Sequence, residues 1–458
     1  MNENAKYLEK ENIGQLLLNY SLPAIIATTA GSLYNIIDRI FIGQGVGPYA
    51  ISGLAITFPI MNLAIAFGTL VGAGAAAIVS IRMGEQRYPD AIRTLGNATI
   101  LNLIIGLLFS VVALIFLDPI LIWFGASEHT ISYAREFMEI ILAGNIVSHM
   151  FFGLNNIMRA SGYPTKAMIS ILLTVTVNVI LAPIFIFWFH WGIRGAALAT
   201  VISQLIGMIW VLAHFNSSKS IIHFQKASFK LKRRIVNDIF AIGLSPFFIH
   251  VCAAFVAVIM TWQLTKYGGD LAIGAFGIIN SIAGLIVMVI FGFTQGMQPI
   301  VGYNYGAKQM DRVFLTLKLT IFWATGISII GFLLTLLLPE ALSRAFTDDP
   351  TLLSITSIGM RLYMLAFPVV GFQIVTSNFF QSIGKAKIAI FLSLSRQLLF
   401  LIPFIVYLPT QYNLTGVWIA QPAADIFATL VTGGILFWFY YRLKQKSNLS
   451  LENKPYSS

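Results

Sequence analysis

The chain has 458 residues, of which 57% are hydrophobic and only 10% charged, and its mean hydropathy is +0.81. Soluble domains carry roughly 25% charged residues, so the composition excludes a water-soluble enzyme or binding module and leaves an integral membrane protein. A net charge of +11 points to nucleic acid when it gathers on one face of a soluble domain, but here the basic residues stand between apolar runs, which excludes that partner.

The mixed-charge start MNENAKYLEKEN precedes an apolar run longer than a signal-peptide core, with no small-residue cleavage site behind it, so a retained N-terminus is expected. Asp, Glu, Lys and Arg are absent from 12–37, 40–81, 94–117, 140–158, 167–193, 195–218, 239–265, 271–307, 319–339 and 362–384, and between 397 and 441 only Asp425 interrupts. A membrane helix takes about 20 apolar residues. Dividing the last stretch at the turn-forming YLPTQYNLTG makes twelve spans. Backbone groups in hydrocarbon must be satisfied within the segment, so these runs are predicted to be helices; the alternating strands of about ten residues that a barrel needs do not occur. Pro23, Pro59, Pro183, Pro246, Pro299, Pro368, Pro403 and Pro422 interrupt the runs and predict bends. Trp123, Trp188, Trp191 and Trp438 fall near span ends, as interfacial anchors do. GTLVGAGAAA at 68–77 reads as close helix packing through small residues. The single cysteine, Cys252, excludes an intrachain disulfide and a thiol cluster for a metal.

Of the 29 Lys and Arg residues, 21 fall between spans on the face that also holds both termini, against 5 on the other. The positive-inside rule therefore predicts a multi-pass protein of the cell (inner) membrane with both ends cytoplasmic, and the basic run at 226–234 reads as a topology anchor beside anionic lipid. An internal repeat organises the chain. YAISGLAITFPI at 49–60 lines up with LAIGAFGIINSI at 271–282, and NNIMRASGYPTKA at 155–167 with TSNFFQSIGKAKI at 376–388, both offset by 222 residues. GIRGAALATVISQ at 192–204 meets NLTGVWIAQPAAD at 413–425 at an offset of 221. Six spans per half make the repeats parallel, related by an axis along the membrane normal. The organisation expected is an N-lobe at 1–215, a basic linker at 216–236, a C-lobe at 237–442 and a polar tail at 443–458. Two similar bundles around a mid-membrane cavity suit alternating access.

The strings NIIDRIFIG (35–43), MRASGYPTKAM (158–168), NVILAPIFIF (178–187), GIRGAALATVISQ (192–204), GMQPIVGYNYGAK (296–308) and SLSRQLLFLIP (393–403) resemble those of the multidrug and toxic compound extrusion (MATE) family. They sit closer to its DinF/MepA-like bacterial branch than to its NorM-type branch. The resemblance covers all twelve spans. It implies an all-α integral membrane protein of the MATE/MOP superfamily fold, with twelve transmembrane helices in two pseudo-twofold-related six-helix bundles. It also implies export of organic cations or amphipathic drugs in exchange for H⁺ or Na⁺.

Polar groups inside spans cost about 2.5–3.5 kcal/mol or more at mid-membrane and should face a cavity. Asp38, near the end of the first span, is the prime candidate for coupling, because a desolvated carboxyl group there makes protonation near neutral pH plausible. Tyr34 and Asn35, at i−4 and i−3, share its helical face. Arg39 points about 100° away, yet its long side chain could still neutralise Asp38, so a structural ion pair is the alternative to a coupling role. Asp38 matches the acid that the family uses in its first span. The resemblance adds Asn178 on the fifth span and Thr200 on the sixth, matching the family's N-lobe cation site; Ala182, however, stands where the family has an Asp. A site with one carboxylate suits Na⁺ poorly, so proton coupling through Asp38 is expected. Where the NorM-type branch carries acids on its seventh and tenth spans, this chain has His250 and Gln373. These two, with Asp425 on the twelfth span, are the substrate-cavity candidates. His250 either titrates near pH 6 to 7 or is a hydrogen-bonded core residue; Asp425 either pairs with a polar neighbour or contacts a cationic substrate.

The partners expected are small amphipathic or cationic compounds and the lipid bilayer, with the protein a monomer. No metal and no cofactor beyond H⁺ or Na⁺ is expected. A lipid-linked oligosaccharide flippase of the same superfamily shares the plan but calls for a basic cavity, and a membrane enzyme calls for nucleophile, metal or nucleotide motifs that are not seen.

Overall fold

The computed structural model describes residues 8–452, and within them the side chains of Asn35, Pro48, Asp270, Leu443, Lys444 and 446–452 fall outside the description. Six residues of the predicted polar tail, 453–458, therefore lie outside the described residues. Every regular element among the described residues is a helix. In chain order the spans are α1 (Ile13–Gly45), α2 (Tyr49–Gly84), α3 (Tyr88–Ile115), α4 (Ile131–Ala143 and Asn145–Ala160), α5 (Pro164–Trp188), α6 (Gly192–Asn216), α7 (Arg233–Gly269), α8 (Leu271–Gly306), α9 (Met310–Leu337) and α10 (Pro350–Tyr363 and Phe367–Ser382). The last apolar stretch, Ala386–Arg442, has 57 residues, and at 1.5 Å per residue it is roughly 85 Å long, well over twice the hydrocarbon core. It breaks at Asn413, whose φ is 49°, into α11 (386–412) and α12 (from 414). That break completes the twelve.

α4 and α10 are each bent by 54°. The bend in α10 adjoins the predicted Pro368. The bend in α4 falls at Gly144, where no proline flags it; a side chain there would run into Val201 of α6. Both helices also begin earlier than the charge-free intervals, because their first pieces carry charged residues. Arg135 pairs with Asp118 of a short surface helix at 2.6 and 2.8 Å, and Arg194 lies 3.4 Å from Glu136. Arg159, just past the charge-free interval 140–158, is buried at the end of α4, where it donates to Asn156 Oδ1 at 2.6 Å.

The duplication is written into the backbone. Positive φ occurs at Gly47 and Gly269, Gln86 and Lys308, Gly162 and Gly384, and Gly192 and Asn413. The members of each pair stand 222 residues apart, or 221 in the last, so the same turns recur in both halves. Contacts between the halves are reciprocal as well. A Cβ on Gly84 would strike the Tyr303 carbonyl, and one on Gly306 the Ile81 carbonyl; Gly74 meets Gly243, and Gly296 meets Ser21. Adding 222 to one partner and removing it from the other converts each contact into its mate, the signature of a twofold-related interface. Small residues let these backbones approach, which is how helices associate where lipid offers no hydrophobic driving force. The contacts cluster toward the face that holds the chain ends. Thr28 reaches the Met288 carbonyl at 3.3 Å, Phe67 packs on Phe247, and Arg82 lies 3.7 Å from Asp238.

The segment between the halves is docked rather than loose. Asn97 of α3 donates through Nδ2 to the carbonyls of Ser228 and Lys230, and its Oδ1 accepts from the Lys232 amide at 2.8 Å.

Candidate functional site

In the first half, three helices meet at one hydroxyl. Tyr34 of α1 lies 2.9 Å from Thr200 Oγ1 of α6, Asn178 Nδ2 of α5 donates to the same oxygen at 3.3 Å, and Thr200 Oγ1 donates to the Ala196 carbonyl at 3.1 Å. A hydroxyl has one hydrogen and two lone pairs. With its hydrogen on Ala196, Thr200 accepts from both Tyr34 and Asn178 and is fully satisfied. The node ties α1, α5 and α6 together at the places the sequence singled out.

Asp38 stands one turn beyond Tyr34 on the same face of α1 and is 8% exposed. Its Oδ1 is buried without a hydrogen-bond partner. Arg39 points outward and is exposed, and among the described residues no ion pair joins it to Asp38. The structural ion pair is thus not formed, and the carboxyl group is left as the kind of costly intramembrane polar group that marks a functional site. The side chain of Asn35 lies outside the described residues. Ala182, fully buried one turn beyond Asn178, brings no second carboxylate.

The far end of α1 is fixed by an irregularity in α5. Pro183 ends the α-helical part, and the chain continues as a π-helix over Ile184–Trp188. Ile186 and Phe187 of this segment pack on Gly45, where a side chain has no room, and Phe187 meets Phe41 edge-on at 6.3 Å. Such π segments are frequent at functional sites.

The second half has its own polar cluster. Arg396 Nε of α11 donates to Asp425 Oδ1 of α12 at 2.7 Å, and Gln421 Nε2 donates to Asp425 Oδ1 at 3.3 Å and Oδ2 at 3.1 Å. Of the two readings the sequence left open for Asp425, the structure forms the pairing. Tyr363, at the hinge of α10, lies within Coulombic reach of both charges. Gln373 is buried on α10 and His250 half-buried on α7. Among the described residues no hydrogen bond joins either to Asp425, so the three cavity candidates do not form one group. Arg396, Gln421 and Tyr363 escaped sequence reasoning, although a signal existed: the 221-residue offset sets Gln421 on Thr200 and Asp425 on Gln204.

A family model described as MatE matches residues 23–184 and again 246–407. The second match begins 223 residues after the first, in step with the repeat. The multidrug export protein MepA of Staphylococcus haemolyticus (strain JCSC1435) is 26% identical over 415 residues, 91% of either chain. The solved MATE multidrug transporter DinF-BH is 36% identical at a TM-score of 0.86, covering 92% of this chain and 95% of its own. An outward-facing MATE family transporter of the MOP superfamily shares the fold with a TM-score of 0.90 at 22% identity, covering 98% of this chain and 99% of its own.

Proposed function

The chain belongs to the MatE family, and from that premise we propose that it is a secondary active multidrug exporter that moves amphipathic or cationic compounds by alternating access in exchange for protons. Relatives named for multidrug export favour this reading over movement of a lipid-linked oligosaccharide. Asp38 is the coupling carboxyl group, and the observation that carries the assignment is its buried, partnerless Oδ1 one turn from the Tyr34–Thr200–Asn178 node. Protonation of Asp38 changes the polar contacts around Asn178 and Thr200, shifts α1 against α5 and α6, and weakens substrate binding on the outward side. With one carboxylate and Ala182 in place of a second, a proton is the better coupling ion, and Na⁺ is the competitor that the test includes. The protein works in the cell (inner) membrane as a monomer with both ends cytoplasmic, the N-lobe and C-lobe meeting at the basic linker 216–236.

Ethidium uptake into everted vesicles, where export runs from the medium into the lumen, tests this for the native chain and Asp38→Asn, with proton and sodium gradients imposed separately. The reading predicts export on the proton gradient and its loss in the variant. Export that follows sodium and ignores protons, or a fully active Asp38→Asn, overturns it.

A further inference from the structure

Asp425 has little left to offer a cation. Its side chain is 6% exposed, and both oxygens accept from Gln421 while Oδ1 also accepts from Arg396. Arg396 is different. Only its Nε is engaged, and among the described residues Nη1 and Nη2 are neither hydrogen-bonded nor sealed away as buried unpartnered donors. The side chain keeps 22% of its surface accessible.

That accessible end lies on the inner face of α11. Arg396 continues the stripe of buried residues Ala389, Leu392 and Ser393 at helical spacing, whereas Phe391, Leu398 and Leu399 on the other flanks are exposed. A guanidinium turned to hydrocarbon would be far more costly than one turned to a polar cavity. Two backbone irregularities converge here: the π-helix that begins at Ser395 and the hinge of α10 just after Tyr363. By the repeat, Gln421 occupies the place of Thr200. The two charges are not repeat mates, since the 222-residue offset sets Asp38 on Met260 and Arg396 on Thr174; the first half carries a carboxyl group with an unpartnered oxygen and the second the open fork of a guanidinium.

We propose that Arg396, pinned through Nε by Asp425, is a subsite for the carboxylate of zwitterionic amphipathic substrates, which its two free Nη groups hold as a fork. This rests on the exporter reading and names a substrate class for it. Asp425 is then a positioning residue that orients the guanidinium.

Binding of norfloxacin, of its ethyl ester and of ethidium to the purified full chain is measured by fluorescence, apart from export. The native chain is expected to prefer norfloxacin over its ester by about tenfold or more, as a charge-assisted bidentate contact implies. In the charge-neutral pair Arg396→Gln with Asp425→Asn, that preference should fall to about twofold or less. Arg396→Lys, which keeps the charge and loses the fork, should fall between. A native chain that binds acid and ester equally, or a preference that survives in the double variant, overturns the subsite. If the double variant does not fold, the native comparison and Arg396→Lys decide. Failure of the native chain to export ethidium on either gradient strikes the exporter reading; ethidium export without an acid preference strikes the subsite alone.

Discussion

Thr200→Val keeps the shape of the side chain and removes the oxygen that binds three helices. Tyr34, donating at 2.9 Å, and Asn178, donating at 3.3 Å, are left without an acceptor. Each buried donor so orphaned costs about 1–3 kcal/mol, giving about 2–6 kcal/mol for the pair. Two features bring the figure toward the lower end: the Asn178 bond is long, and Tyr34 is only half-buried, so water reaches part of it. A loss of about 2 kcal/mol is expected for Thr200→Val, with Thr200→Ser close to native because the hydroxyl persists. Tyr34→Phe alone should cost about 1 kcal/mol. In the Thr200→Val background it should cost nothing, since the orphaned donor disappears with it. The coupling between the two sites is therefore about 1 kcal/mol, large enough for a double-mutant cycle to resolve. Unfolding by SDS, followed by helical circular dichroism, supplies the four free energies. Additive effects, or a Thr200→Val protein as stable as the native one, would refute the shared-hydroxyl geometry.

Three further expectations test other parts of the molecule. Asp38→Asn, fixed in the neutral form that weakens binding, should hold ethidium less tightly than the native chain at alkaline pH, approach it at acid pH and lose proton-driven export; binding equal to native at alkaline pH would count against coupling through Asp38. Gly243→Ala drives a Cβ into the Leu70 carbonyl oxygen, so α7 must retreat from α2 by roughly 1.5 Å or more to reach van der Waals distance. In a Cys252→Ser background, maleimide labelling of Ile239→Cys, a fully buried position in that seam, should then rise several-fold, and unaltered labelling would count against the seam as drawn. Asn97→Ala removes three hydrogen bonds that dock the segment between the halves; at about 1–3 kcal/mol for each group left unmade, tryptic cleavage at Lys226, Lys230 and Lys232 should speed up at least tenfold, and native-like cleavage kinetics would argue that the docking is incidental.

The number and nature of the spans were legible in the sequence because lipid imposes them one segment at a time. A helix in hydrocarbon must satisfy its own backbone, so charge-free runs and the turn residues between them suffice to mark it. The repeat was legible for a related reason: Gly47 and Gly269, or Gly192 and Asn413, occupy the same turn in each half and demand the same backbone. Asp38, Tyr34, Asn178 and Thr200 could be nominated because a polar group in an apolar run is conspicuous, and three of them do meet at one oxygen.

Partnership was not legible. Arg39 is next to Asp38 in the chain, yet helical geometry turns it outward, whereas Arg396 and Asp425 are 29 residues apart and form the pair. The bend at Gly144, the burial of Arg159 and the π segment that braces Gly45 likewise depend on what a neighbouring helix presents. Hydrophobicity and backbone satisfaction are properties of a segment and can be read along a line. Which polar atoms find partners, and which one is left bare, is set by packing between segments, and only the tertiary structure decides it.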